Sequence, residues 1–77
     1  MEELKREWGR NVALWRKVKD LSQAGLAEAC GVTQQTISSI ERGEYAPRDD
    51  LKVRLATVLN RDVRDLFPLT RNLPAAR

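Results

Sequence analysis

The side chains most able to do selective chemistry are neutral ones: Gln34 and Gln35, followed one helical turn later by Ser38 and Ser39 and closed by Arg42. A carboxamide offers one acceptor and two donors, so it can engage a surface that presents both kinds of group, as adenine does through N6 and N7. The charges around these residues are arranged unevenly. Lys5, Arg6, Arg10, Arg16, Lys17 and Lys19 precede them, Arg42, Arg48, Lys52, Arg54, Arg61 and Arg64 follow, and no Lys or Arg lies between Asp20 and Glu41. A chain that held a polyanion by charge alone would not leave its middle third without cations. One that reads base edges with polar groups and grips phosphates from both flanks would.

Other chemistries lack their parts. The sequence has no histidine and one cysteine, Cys30, which excludes an internal disulfide and a zinc framework. Cys30 reads as a small buried apolar residue. There is no phosphate-cradling glycine loop and no paired nucleophile and base, and Glu28 and Glu44 are isolated acids. An enzyme, a catalytic residue, a metal, a cofactor and a small-molecule ligand are therefore not expected. No apolar run approaches the roughly 18 residues of a membrane span. Residues Met1 to Arg6 carry Glu2 and Glu3 without an apolar core, unlike a secretory signal. These features fit a cytoplasmic protein, associated with the nucleoid when bound to DNA.

The elements that must position the polar residues follow from punctuation and periodicity. Five helices are expected at about 3–19, 23–30, 34–42, 49–59 and 63–67, in one all-α domain over 1–69 with a flexible tail over 70–77. In the first, Leu4, Trp8, Val12 and Trp15 share a face, with Val18 near it, and Gly9 weakens the interior by ~1 kcal/mol relative to Ala. Ser22 and Thr33 read as N-caps, Gly31 as a left-handed C-terminal position and Gly43 as a stop. Asp49 and Asp50 suit a helix N-terminus. The short fifth helix must end before Pro68.

Short helix, glycine-containing turn and second helix form the helix-turn-helix layout, whose second helix enters the major groove. Ala27 permits a close crossing, while Ile37 and Ile40 anchor the second helix. At about 100° per residue, Ile37, Ile40 and Glu41 fall on one side, whereas Gln35, Ser38, Ser39 and Arg42 fall on the other. Gln34 lies to the side, in the first turn.

At these residues the chain resembles the lambdoid phage repressor and Cro family, the XRE-type helix-turn-helix proteins. The run LSQAGLAEACGVTQQTISSIERG (Leu21 to Gly43) carries the likeness, which extends from about Val12, through Arg16, to Leu66 and Phe67. The resemblance implies a compact five-helix domain, lambda-repressor-like, that binds operator DNA as a symmetric dimer. It implies base-edge contacts from Thr33, Gln34 and Gln35, with Ser38 and Ser39 at variable reading positions. It also implies phosphate contacts from Gln23, Arg42 and Arg48, and a structural ion pair between Arg16 and Glu41. Gly25 stands where the family prefers Glu, and Asp49 and Lys52 stand where it is commonly apolar, so the start of the fourth helix is expected to pack differently.

Two readings of function remain. One is a sequence-specific, double-stranded DNA-binding transcriptional regulator, a repressor that binds a palindromic operator as a homodimer. The other is a protein-interaction module of antitoxin or coactivator type, which would show a more apolar face than Gln35, Ser38, Ser39 and Arg42. Dimerisation also has an arithmetic basis, because one short helix reads too few base pairs to find a site among ~10⁶–10⁹ competitors. Val63, Leu66, Phe67 and Leu69 are candidates for the dimer contact, and closure of the domain's own core is the other role open to them.

Overall fold

The computed structural model describes residues 2–69. It contains five helices and, among the described residues, no strand: α1 (Glu2–Val18), α2 (Gln23–Cys30), α3 (Gln34–Glu41), α4 (Asp49–Leu59) and α5 (Val63–Leu66). The tail expected over 70–77 lies outside the described residues. Helices α1 and α3 each stop one residue before their expected ends, α5 likewise, and α1 starts one residue earlier.

Four helices terminate in the same way. Asp20, Gly31, Gly43 and Asn60 each adopt a positive φ, between 57° and 77°. The next residue's N–H then reaches back five positions, as in Leu21 to the Arg16 carbonyl at 3.0 Å and Arg61 to the Ala56 carbonyl at 2.9 Å. This satisfies carbonyls that the helix leaves without partners. Asp20 and Asn60 take this conformation because their short polar side chains tolerate it better than most.

The core draws on every helix. Val12, Leu26, Ile37, Leu55 and Leu66 are fully enclosed at its centre. Helix α3 is held against α1 and α2, α4 packs on α2 and α1, and α5 closes the far end against α4 and α1. Leu66 and Phe67 belong to this interior at 0% and 2% exposure, so in this fold they close the core and offer no surface to a partner. Val63 is partly buried and Leu69 is exposed. Val18 departs from the expected stripe: it is 62% exposed because the last turn of α1 runs beyond the core.

Contacts distant in sequence fasten α5 to α1. The Trp8 indole N–H donates to the Pro68 carbonyl at 2.7 Å, and Asn11 Nδ2 donates to the Leu66 carbonyl at 2.9 Å. Trp8 also meets Phe67 edge to face at 5.8 Å. Lys52 occupies its usually apolar position by laying its ammonium over the Trp8 ring, 4.1 Å from the centroid. Its stem is buried while its charge meets the negative face of the indole.

Gly9 has a role that helix propensity does not reveal. A Cβ there would lie 2.3 Å from the Ile40 carbonyl oxygen and 2.7 Å from that of Glu41. The missing side chain lets α1 cross directly over the last turn of α3.

Candidate nucleic-acid interface

The presentation of α3 begins with its caps. Ser22 Oγ accepts the Gly25 N–H at 2.9 Å and starts α2. Gly25 therefore leaves the first half of a capping box intact while lacking the side chain for the second. After the turn at Gly31, Thr33 caps α3 through its hydroxyl, which accepts the Thr36 N–H at 3.1 Å and shares a 3.0 Å bond with the Thr36 hydroxyl. Ile37 and Ile40, at 0% and 1% exposure, then fix the rotation of the helix about its axis. Burial of these two side chains supplies roughly 3–6 kcal/mol toward that orientation.

Glu41 ties α3 to the rest of the molecule. Arg16 approaches it with two nitrogens: Nε donates to Oε2 at 2.6 Å and Nη2 to Oε1 at 3.1 Å. A third guanidinium nitrogen, Nη1, donates to the Leu21 carbonyl at 2.8 Å. Gln23 Nε2 completes the set by donating to Glu41 Oε1 at 3.0 Å. Both ion-pair side chains are nearly enclosed, at 11% and 8% exposure. Helix α1, the connection into α2, α2 itself and α3 thus converge on one ion pair.

The opposite side of α3 faces outward. Gln34, Gln35 and Arg42 are exposed, whereas Ser38 and Ser39 are half-buried. Gln23, Gln34, Gln35, Ser38 and Arg42 line an open cleft of about 360 Å³. Thr33 is exposed at the tip of the helix with its oxygen committed to the cap. Ser39 lies outside this lining, and its backbone carbonyl accepts the Glu44 N–H at 2.9 Å. Arg48 is exposed at the start of α4 with no side-chain capping bond. The cleft therefore brings together five of the eight residues expected to meet DNA and leaves Thr33, Ser39 and Arg48 outside its lining.

Arg42 is already engaged. It donates to the Ser38 hydroxyl through Nη1 and to Glu44 Oε1 through Nη2, the latter at 3.0 Å. The hydrogen bond from Arg42, reinforced by its charge, holds the Glu44 carboxyl below its ordinary range, while Glu44 raises the guanidinium in return. Both groups are open to water, so exchange of Glu44 for another anion costs little.

Among the described residues no three His, Cys, Asp or Glu side chains gather to hold a metal ion, and no helix is long and apolar enough to cross a membrane. The cleft can offer amides, hydroxyls and a guanidinium. These groups recognise by hydrogen bonding and supply no nucleophile–base pair.

A family model described as helix-turn-helix matches residues 12–66, which include α2, the turn and α3. The chain belongs to this family. It is of the XRE type, an all-α class of DNA-binding transcriptional regulators rather than a class of enzymes. The helix-turn-helix chain is 36% identical over 61 residues to YazB, an uncharacterized HTH-type transcriptional regulator of Bacillus subtilis, covering 79% of this chain and 88% of that one. It is 46% identical over 55 residues to an uncharacterized HTH-type transcriptional regulator of Methanothermobacter thermautotrophicus, covering 70% of this chain and 80% of the other. Among solved structures it is similar to the restriction-modification controller protein C.AhdI of Aeromonas hydrophila. There the TM-score is 0.80 at 29% identity, with 86% of this chain and 96% of that chain covered.

Proposed function

We propose that this helix-turn-helix regulator is a repressor that binds a palindromic operator as a homodimer, inserting α3 into the major groove of each half-site. The exposed amide face of α3 carries the reading. Gln34 and Gln35 stand clear of the protein at the start of a helix whose rotation is set by buried isoleucines. Thr33, Gln34 and Gln35 address base edges, and Ser38 and Ser39 border them. Gln23, Arg42 and Arg48 contact phosphates. Gln23 does so from the first residue of α2, where the positive helix end favours an anion.

Two copies related by a twofold axis place their reading helices one turn of DNA apart, ~34 Å. With Leu66 and Phe67 enclosed, Val63 and Leu69 are the two of the four candidate residues left to meet a second copy. The similarity to a controller protein supports the regulatory role; a place in the cytoplasm at the nucleoid, without a small-molecule ligand, completes the proposal. Selection of bound duplexes from a random pool tests the reading. Enrichment of a two-fold symmetric sequence is the expected result. Equal binding to random and selected duplexes at low salt would remove it.

A further inference from the structure

Beside the reading cleft lies a second one, of about 330 Å³, lined by Arg6, Arg10, Glu41 and Arg42. We infer that this cleft seats a backbone phosphate of the bound DNA, held by Arg6 and Arg10 of α1, so that the protein's footprint extends past the C-terminal end of α3. The inference rests on the DNA-binding reading and adds to it two residues and one phosphate position.

The argument starts from unmatched charge. Arg16, Arg42, Arg54, Arg61 and Arg64 each pair with a carboxylate. Among the described arginines, Arg6, Arg10 and Arg48 have no such partner, and of these Arg6 and Arg10 share the cleft, although Lys5 on the adjoining face pairs with Glu2 at 3.4 Å. Arg6 and Arg10 are four apart on one helix and both exposed. Like charges at that spacing repel unless an anion lies between them. The one carboxylate in the cleft is not available for this. Both oxygens of Glu41 already accept from Arg16 or Gln23. The cleft therefore holds two cationic groups without a counter-charge.

Its position follows from two glycines. At Gly9, α1 lies against the Ile40 and Glu41 carbonyls. At Gly43, a Cβ would come within 3.0 Å of Arg6 Cγ and 3.1 Å of Arg6 Cα. These two approaches carry Arg6 and Arg10 to the end of the reading helix. Arg42 lines both clefts and forms the ridge between them. A duplex seated on α3 runs its backbone across this ridge, and a forked guanidinium matches phosphate oxygens in geometry as well as charge.

The test compares the wild-type chain with R6Q/R10Q and R6K/R10K on the duplex enriched by selection, following anisotropy from about 50 to 200 mM salt. Glutamine keeps the aliphatic stem that covers Gly43, and thermal unfolding confirms that the fold is retained. R6Q/R10Q is expected to bind roughly ten-fold more weakly, with a salt slope smaller by about one and unchanged base preferences. The lysine variant should recover part of the loss. A neutral methylphosphonate scanned along each strand should weaken the wild type at one position where R6Q/R10Q is indifferent. Unchanged affinity and slope in R6Q/R10Q, with normal wild-type binding, overturns the cleft and leaves the function standing. Altered base preference also overturns it, since the arginines would then touch bases. A wild-type chain without preferential binding overturns both.

Discussion

Arg16 on α1 meets Glu41 on α3 through two nitrogens and two oxygens, the shorter contact 2.6 Å, at a site where neither side chain has more than 11% of its surface exposed. The pair lies behind the outward face of α3, so in the proposed mode of binding its influence on DNA passes through the placement of that helix. Arg16→Ala would leave a buried carboxylate with only Gln23 as donor. The expected cost is about 3–5 kcal/mol, a large part of the stability of so small a domain. Urea denaturation should show this loss, and weak DNA binding should recover as far as stabilising conditions restore the fold. If Arg16→Ala kept full stability but lost DNA binding, the guanidinium would instead be a direct contact.

Gly9 separates two opposed expectations. Helix propensity alone makes Gly9→Ala stabilising by ~1 kcal/mol. The new methyl group would lie 2.3 Å from the Ile40 carbonyl oxygen, a backbone atom that cannot rotate away. Opening the crossing of α1 and α3 should cost about 1–3 kcal/mol beyond that gain. Gly9→Ala is therefore expected to unfold at lower denaturant than wild type. A higher midpoint would show that the crossing yields without penalty.

The reading face makes a prediction of specificity. Gln35→Ala is expected to weaken binding to the selected operator by ~1–3 kcal/mol and to relax preference at one base position. Arg42→Ala should instead weaken all duplexes and lower the salt slope by about one. Repeating the duplex selection with each variant checks both. An intact base preference in Gln35→Ala would move the reading surface elsewhere.

The helix-turn-helix was legible because its signals are local. Ser22, Gly31, Thr33 and Gly43 cap or turn the chain using groups within five residues, and the isoleucine spacing sets the helix rotation. What escaped depends on partners far along the chain. Gly9 is defined by carbonyls more than thirty positions away, and Asn11 by the Leu66 carbonyl. A wheel drawn for α3 alone places Ser38 and Ser39 on the outward face, whereas neighbouring elements leave them half-buried. Leu66 and Phe67 suited a core or a dimer equally until α5 was packed against α1. The left-handed turns at Asp20 and Asn60 lacked the glycine that marked the other two.

Glu44 provides a pH test of how Arg42 is used. In the free protein the carboxylate is held below its ordinary range by the hydrogen bond and charge of Arg42. A group depressed in this way contributes stability at neutral pH that disappears as pH falls through its folded-state value. In the proposed complex DNA binding would reverse the preference. If Arg42 turns to a phosphate as proposed, Glu44 would lose its cation and face a polyanion, so its pKa would rise and binding would take up a proton. Affinity should therefore increase as pH falls from neutral toward the carboxylate range, in the interval between the free and bound values. Glu44→Gln should remove this dependence and bind more tightly than wild type at neutral pH, most visibly at low salt. Anisotropy titrations across that pH interval provide the measurement. Parallel pH profiles for wild type and Glu44→Gln would mean that Arg42 keeps its bond to Glu44 in the complex and serves the protein rather than the DNA.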